Sequence, residues 1–184
     1  QTGLSNVAIS LITSALLRYG LIKRSDTQIN SPRGRHPQML SLNENYGCIV
    51  VVTFSDDRIG YVVSNMKGEV ICSHMTPFTD TIEEKTLYKI ILAIKQTLET
   101  ETKGLPLRGI DISAPGKINN ASGEMPLSPH FAPEITAKPN YLPELFGSYF
   151  SAPVKITNDI KLAAIGETDA GWCEGRAANA MLVH

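Results

Sequence analysis

Nothing in this sequence builds a disulfide framework or a membrane span. Cysteine is scarce: Cys48, Cys72 and Cys173 lie far apart and are odd in number. That excludes a stapled secreted scaffold, offers no metal-ligand spacing and makes a reducing cytoplasm the default compartment. Each thiol reads as small buried filler. No run approaches the ~20 apolar residues that a membrane helix needs, and the first residues lack the basic-then-apolar layout of a secretory leader. With 42% hydrophobic and 19% charged residues, the composition carries no disorder signature. A length of 184 residues suits one ordinary domain with a small appendage.

The net charge of −1 hides an asymmetry. Residues 1–37 carry five basic side chains against Asp26 alone, a net +4, and the remainder carries −5. A basic head on an acidic body points to a polyanion as the head's partner, with a merely solvated face as the alternative.

The head begins with a helical pattern. Val7, Ala8, Leu11, Ile12, Ala15, Leu16 and Tyr19 recur at helical spacing, with Ser5 as N-cap, Gly20 just past the end and Gly3 ahead of the cap. Leu21–Arg24 and MLSLN read as short strands around a polar loop containing Ser31-Pro-Arg-Gly-Arg-His-Pro37. Helix, strand, basic loop, strand is the back half of a winged helix; an amphipathic helix with an attached hairpin fits the same pattern.

From Tyr46 the period changes. GCIVVVTF is a continuous apolar run suited to a central strand. RIGYVVSN and EVICSHM complete an antiparallel meander around Asn65–Gly68. Thr81 and Glu84 have capping-box spacing. They precede a long helix with Leu87, Ile90, Ile91, Ile94 and Leu98 on one face and Gly104 at its end. RGIDIS, following that crossover helix, is expected to join the sheet in parallel. A long loop with many prolines comes next, of a kind that is often functional. NYLPELFGSYF is then a short helix with Asn140 as cap and Pro143 in its first turn. PVKITNDIKLAAIGE follows as strand, polar pair and small-residue helix, and ANAMLVH closes the chain as a strand.

The pair Asn158-Asp159 falls where that strand becomes a helix. In open α/β sheets, ligands bind outside the carboxyl ends of strands. An amide and a carboxylate there can hold neighbouring hydroxyls of a polyol, or they can simply cap the helix.

Four segments in order resemble one family: LSNVAISLITSALLRYGLI, GRHPQMLSLNENYGCIVVVTFSDDRIGYVVSNMKGEVI, RGIDISAPGKINNASGEM and PVKITNDIKLAAIGETDAGW. Together they resemble ROK (repressor, open reading frame, kinase) transcriptional regulators of the N-acetylglucosamine/xylose-repressor type, cut at both ends. The resemblance implies an α/β, actin-like (ribonuclease-H-like) first lobe over residues 44–184, preceded by a partial winged helix-turn-helix over residues 1–43. It implies sugar contacts from Asn158 and Asp159, with Pro115, Gly116, Asn119 and Gly123 on the adjacent loop. In a kinase of the family, Asp159 would be the general base.

Three departures shape the expectation. VVTFSDDRIG lacks the Asp-x-Gly-Gly-Thr phosphate loop of the kinases, and Asp56-Asp57 would repel a phosphate. The family's Glu-x-Gly-His motif and zinc site would lie beyond His184, so no cofactor or metal is expected within this chain. The chain also starts inside what resembles the second helix of the helix-turn-helix.

The resemblance implies that Ser5, Asn6, Ala8, Ile9 and Ser10 meet base edges and that Arg18, Lys23 and Arg24 neighbour phosphates. Arg33 and Arg35 form a basic finger suited to a narrow minor groove, with a solvated wing tip as the alternative. The expected function is a sugar-responsive DNA-binding regulator, a repressor, with a sugar or sugar phosphate as effector, acting as a dimer or tetramer on a DNA operator. A sugar kinase and a non-catalytic sugar-binding or interaction lobe are the competing readings.

Overall fold

The structure, a computed structural model, describes residues 3–25, 39–119, 122, 124–128 and 130–169. Helix α1 (Asn6–Arg18) begins at Ser5, whose hydroxyl accepts from Ala8 N at 3.2 Å. Gly20 follows it at φ 73°, in the left-handed region where glycine is at no disadvantage. The chain then enters a two-stranded antiparallel hairpin of β1 (Ile22–Arg24) and β2 (Leu40–Leu42). The helix-and-hairpin expectation therefore holds. No residue of α1 is fully buried: Val7, Leu11 and Ile12 are exposed, while Ala8, Ala15 and Leu16 are half-buried, so its apolar face is only partly covered among the described residues.

A short 3₁₀ turn (Glu44–Tyr46) leads into the main sheet. Strands β3 (Cys48–Phe54), β4 (Arg58–Asn65) and β5 (Val70–Pro77) form the antiparallel meander. Helix α2 (Glu84–Thr100) crosses over, and β6 (Leu107–Ala114) pairs with β3 in parallel. Strand β9 (Val154–Asn158) then pairs with β6 in parallel, giving the order β5-β4-β3-β6-β9. The apolar run at 48–54 thus occupies the centre of the sheet.

Strand alternation decides which side chains meet α2. Val50, Val52, Tyr61, Val63, Ile110, Ile112 and Ile156 are buried on one face, as the pairing register requires. Leu87, Ile90, Ile91 and Ile94 of α2 are buried with them, and Leu98 packs at the margin. The Tyr61 hydroxyl and Thr97 Oγ1 lie 2.8 Å apart, satisfying two polar groups inside this layer.

Between β6 and β9 lie the hairpin β7 (Lys117–Asn119) and β8 (Glu124–Leu127), then α3 (Pro133–Thr136) and α4 (Tyr141–Tyr149). The long proline-containing loop is therefore partly ordered into elements of its own. Met125, Ile135, Leu142 and Phe146 anchor it in the core. The Tyr141 hydroxyl donates to Glu84, tying α4 to the start of α2, and burial with that carboxylate raises the phenol's pKa. Helix α5 (Asp159–Asp169) follows β9 directly.

Three local expectations are corrected. The Thr81–Glu84 capping box does not form, and α2 starts after Glu83 with no side-chain cap. The reason is tertiary: Ile82 is held extended, its N–H donating to His130 O at 2.7 Å and its carbonyl accepting from Ala132 N at 3.0 Å. Asn140 precedes α4 but sits at φ 57°, and its amide reaches Glu144 instead of capping backbone. Helix α2 stops at Thr100, ahead of Gly104, where Lys103 and Gly104 turn at φ 54° and 81°. The ANAMLVH strand, Gly171 and Cys173 lie outside the described residues.

One carboxylate joins the head to the sheet. Glu44 pairs with Lys23 of β1 and, through Oε2 at 3.0 Å, with Lys67 of the β4–β5 turn. The Lys23 ammonium, then the residue's own backbone N–H, then Lys67 hold the Glu44 carboxyl at about 2. A lowered folded-state pKa contributes stability above the ordinary value of 4.5, and that contribution disappears as pH falls towards 2. The melting temperature is expected to fall across this window by a smaller amount in Glu44→Gln than in the wild type, measured by circular dichroism. Identical pH profiles would remove Glu44 from the linkage.

A second test concerns Gly116, at φ 97°, where a Cβ would lie 1.9 Å from Leu127 O. Gly116→Ala is expected to destabilise the fold by about 1–3 kcal/mol in denaturant unfolding. A change near zero would show that the loop is not held against β8.

Candidate functional site

Because β3, β6 and β9 run parallel, their carboxyl ends open on the same edge of the sheet. Three connections meet there: Ser55–Asp57 after β3, Pro115-Gly116 after β6 and Asn158-Asp159 after β9. Register places Ala114 opposite Asn158, so the last two are immediate neighbours.

Asn158 links them. Its Nδ2 donates to Gly116 O at 2.8 Å and to Asp159 Oδ1 at 3.2 Å. Its Oδ1 accepts from Lys161 N at 3.0 Å, which is helix capping. Asp159 Oδ1 also accepts from Ile160 N at 2.8 Å. The capping reading is thus correct for Asn158, and it does not consume Asp159. The second oxygen, Oδ2, has no hydrogen-bond partner among the described residues, and the side chain is half-buried at the rim. A half-buried carboxylate oxygen beside an exposed backbone turn is a ready acceptor for ligand hydroxyls.

Pro115, Gly116, Asn158 and Asp159 are therefore brought together. Pro115 is buried, and its carbonyl accepts from the buried Ser128 hydroxyl at 2.7 Å. Asn119 sits exposed on β7, opposite Glu124. Gly123 lies outside the described residues. Ser128 and His130 were missed from sequence. His130 Nε2 reaches Asp56 Oδ1 at 2.9 Å, bringing the α3 approach to the β3–β4 turn. No sequence spacing signals this contact, because the Ile82 bridge to Phe131 creates it.

The β3–β4 turn is tight. Ser55 donates to Arg58 O through both its N–H, at 2.9 Å, and its hydroxyl, at 3.0 Å. Asp56 and Asp57 project from it with side chains 77% and 70% exposed. The turn contains no glycine to open backbone N–H groups towards a phosphate, and its two carboxylates lie beside Arg58, 3.3 Å from Asp57, and His130.

In the head, Ser5 spends its hydroxyl on capping, Asn6, Ile9 and Ser10 are exposed, and Ala8 is half-buried. Arg24 is exposed and shares a cleft of about 290 Å³ with Ser10, Thr13, Ser14 and Leu40. The Arg18 guanidinium lies 5.3 Å from the Tyr19 ring centroid. Lys23 is engaged by Glu44, so its charge is partly neutralised within the protein. Arg33 and Arg35 lie outside the described residues. No helix among the described residues is long and apolar enough to cross a membrane.

No protein-family model matches the chain. It is 28% identical over 174 residues to a provisionally assigned xylose repressor of Caldicellulosiruptor sp. strain Rt8B.4, covering 92% of this chain and 42% of the relative. Among solved structures it resembles a ROK-family transcriptional regulator, a homologue of the E. coli MLC protein. The TM-score is 0.69 at 22% identity, over 90% of this chain and 41% of that one. The ROK hexokinase of Thermus thermophilus matches with a TM-score of 0.54 at 16% identity, over 70% of this chain and 39% of that one. The chain thus spans about two fifths of the proteins it matches. In sequence the chain is similar to a xylose repressor, and its fold is the one seen in ROK-family structures, an actin-like, ribonuclease-H-like α/β lobe behind a helix and a hairpin.

Proposed function

We propose that this chain provides part of a DNA-reading head, residues 1–43, and a first sugar-binding lobe, residues 44–184, of a sugar-responsive transcriptional repressor. The observation that carries this reading is the extent of the two structural likenesses. The regulator covers 90% of the chain and the hexokinase only 70%, a shortfall comparable in length to the head. The relation in sequence to a protein named as a xylose repressor supports the same reading. The effector in this proposal is a neutral sugar, with xylose the first to test, because Asp56 and Asp57 disfavour a phosphate. Sugar binding would alter DNA affinity only by favouring one of two states. A homodimer or tetramer on a two-fold operator is part of the proposal.

The kinase reading, with Asp159 as base, has the fold in its favour and the β3–β4 turn against it. Phosphoryl transfer relies almost entirely on positioning and charge stabilisation of the phosphates. An exposed acidic turn supplies the opposite field. A sugar-binding lobe with no DNA role has no observation of its own in its favour.

Two measurements test the proposal. Asp159→Asn should weaken xylose binding, followed by calorimetry, by about tenfold or more, the range for one charged hydrogen bond. Asn158→Asp preserves the capping acceptor but removes the donor to Gly116, so it should weaken binding with little loss of stability. Unchanged xylose affinity in both variants would remove the pair from the site. For the head, Arg33→Ala with Arg35→Ala should weaken binding to the protein's own promoter DNA. If these arginines contact phosphates, the slope of log affinity against log salt should flatten by about 0.9 per lost contact. Equal binding at every salt concentration would rule the basic finger out as a DNA contact.

A further inference from the structure

A second cluster lies away from the carboxyl edge, where the β5 edge strand meets the end of α2. Cys72 and His74 are two residues apart on β5 and so share a face. Register sets them opposite Val63 and Tyr61, on the side that packs against α2. Glu101 immediately follows α2 and is fixed by its N–H donating to Thr97 O at 2.8 Å. One ligand-capable atom from each of Cys72, His74 and Glu101 lies within 4.8 Å of the other two. His74 Nε2 is already 3.1 Å from Glu101 Oε1, and its ring packs 5.2 Å from that of Tyr61.

We propose that Cys72, His74 and Glu101 form a binding site for a transition-metal dication of the Zn²⁺ class, with the fourth position open to water. Sulfur, imidazole and carboxylate together match Zn²⁺ and Co²⁺ better than the hard cations Ca²⁺ and Mg²⁺. A tetrahedral ion with bonds of ~2.0–2.3 Å places its ligand atoms ~3.3–3.6 Å apart. The His74–Glu101 pair is near that spacing. The flexible Glu101 side chain is the one that can close the wider separations, while strand pairing holds the other two residues. His74 and Glu101 are 47% and 41% exposed, which leaves a route for the ion and room for a water.

Electrostatics favour a cation there. Glu101 lies at the C-terminal end of α2, where the helix dipole disfavours a negative charge. Metal binding forms an M–S bond, breaks the S–H bond and releases one proton to solvent. Thiolate and carboxylate then balance the dication. The ion would staple the outermost strand to the crossover helix. This assignment is independent of the sugar and DNA readings. It also revises the expectation that each cysteine is buried filler: Cys48 is fully buried, whereas Cys72 is only half-buried.

Titrating the reduced, chelator-stripped chain with Co²⁺ tests the site. The expected result is a thiolate-to-cobalt charge-transfer band that saturates at one ion per chain and is displaced by Zn²⁺. Cys72→Ser should abolish the band. His74→Ala and Glu101→Gln should weaken Co²⁺ binding by at least about tenfold, since even outer-shell changes cost that much. Zn²⁺ should also slow alkylation of Cys72, read by peptide mass spectrometry, and raise the melting temperature. Glu101→Gln alters only an exposed side chain and keeps the test valid if Cys72→Ser misfolds. Absence of the band in the wild-type chain would overturn the proposal. So would a band that survives Cys72→Ser, affinity unchanged in Glu101→Gln, or one ion per two chains.

Discussion

The parallel pairing of β6 with β3 on one side and β9 on the other is the constraint on which the rest depends. It sends three strand ends to one edge, so residues far apart in sequence share one rim. Each parallel pairing requires a crossover: α2 supplies the one into β6 by burying Leu87, Ile90, Ile91 and Ile94 against the sheet, and the segment through α3 and α4 supplies the one into β9, anchored by Ile135, Leu142 and Phe146. Without the second, Pro115-Gly116 and Asn158-Asp159 would have no fixed relation. With it, a single amide can span the two connections.

Asn158 does this in a way that joins stability to chemistry. Its oxygen caps α5, and its nitrogen ties Gly116 to Asp159. A residue so fully committed orients its neighbour, and the oxygen left available belongs to Asp159. The nearby β3–β4 turn, closed on Arg58 O, carries Asp56 and Asp57, paired with His130 and Arg58 respectively.

The head meets the lobe through Glu44, shared between Lys23 and Lys67. This ion-paired turn is one physical connection between the N-terminal helix and hairpin and the main sheet among the described residues. It also alters the meaning of the basic head. Lys23 is drawn into the protein's own charge network, while Arg24 stays exposed beside the α1 cleft.

Much was legible from local pattern. The helix over α1, the meander, the long apolar face of α2 and the strand-to-helix step at Asn158 follow from side-chain period and from cap and turn chemistry, which act over a few residues. Both readings of Asn158-Asp159 are open in the sequence, and only the folded arrangement assigns capping to the first residue and leaves an oxygen available on the second. The Thr81–Glu84 box failed because the backbone at Ile82 is claimed by His130 and Ala132, a long-range demand that no capping rule sees. His130 beside Asp56, Glu44 between two lysines, and Cys72 and His74 beside Glu101 were invisible for the same reason. By itself the sequence determined the main helices and strands, though neither the ends of α2 nor the elements inside the proline-containing loop, because period and cap chemistry depend on neighbours along the chain. Tertiary structure alone decided which ends meet, because sheet register and helix crossover set distances that sequence separation does not encode.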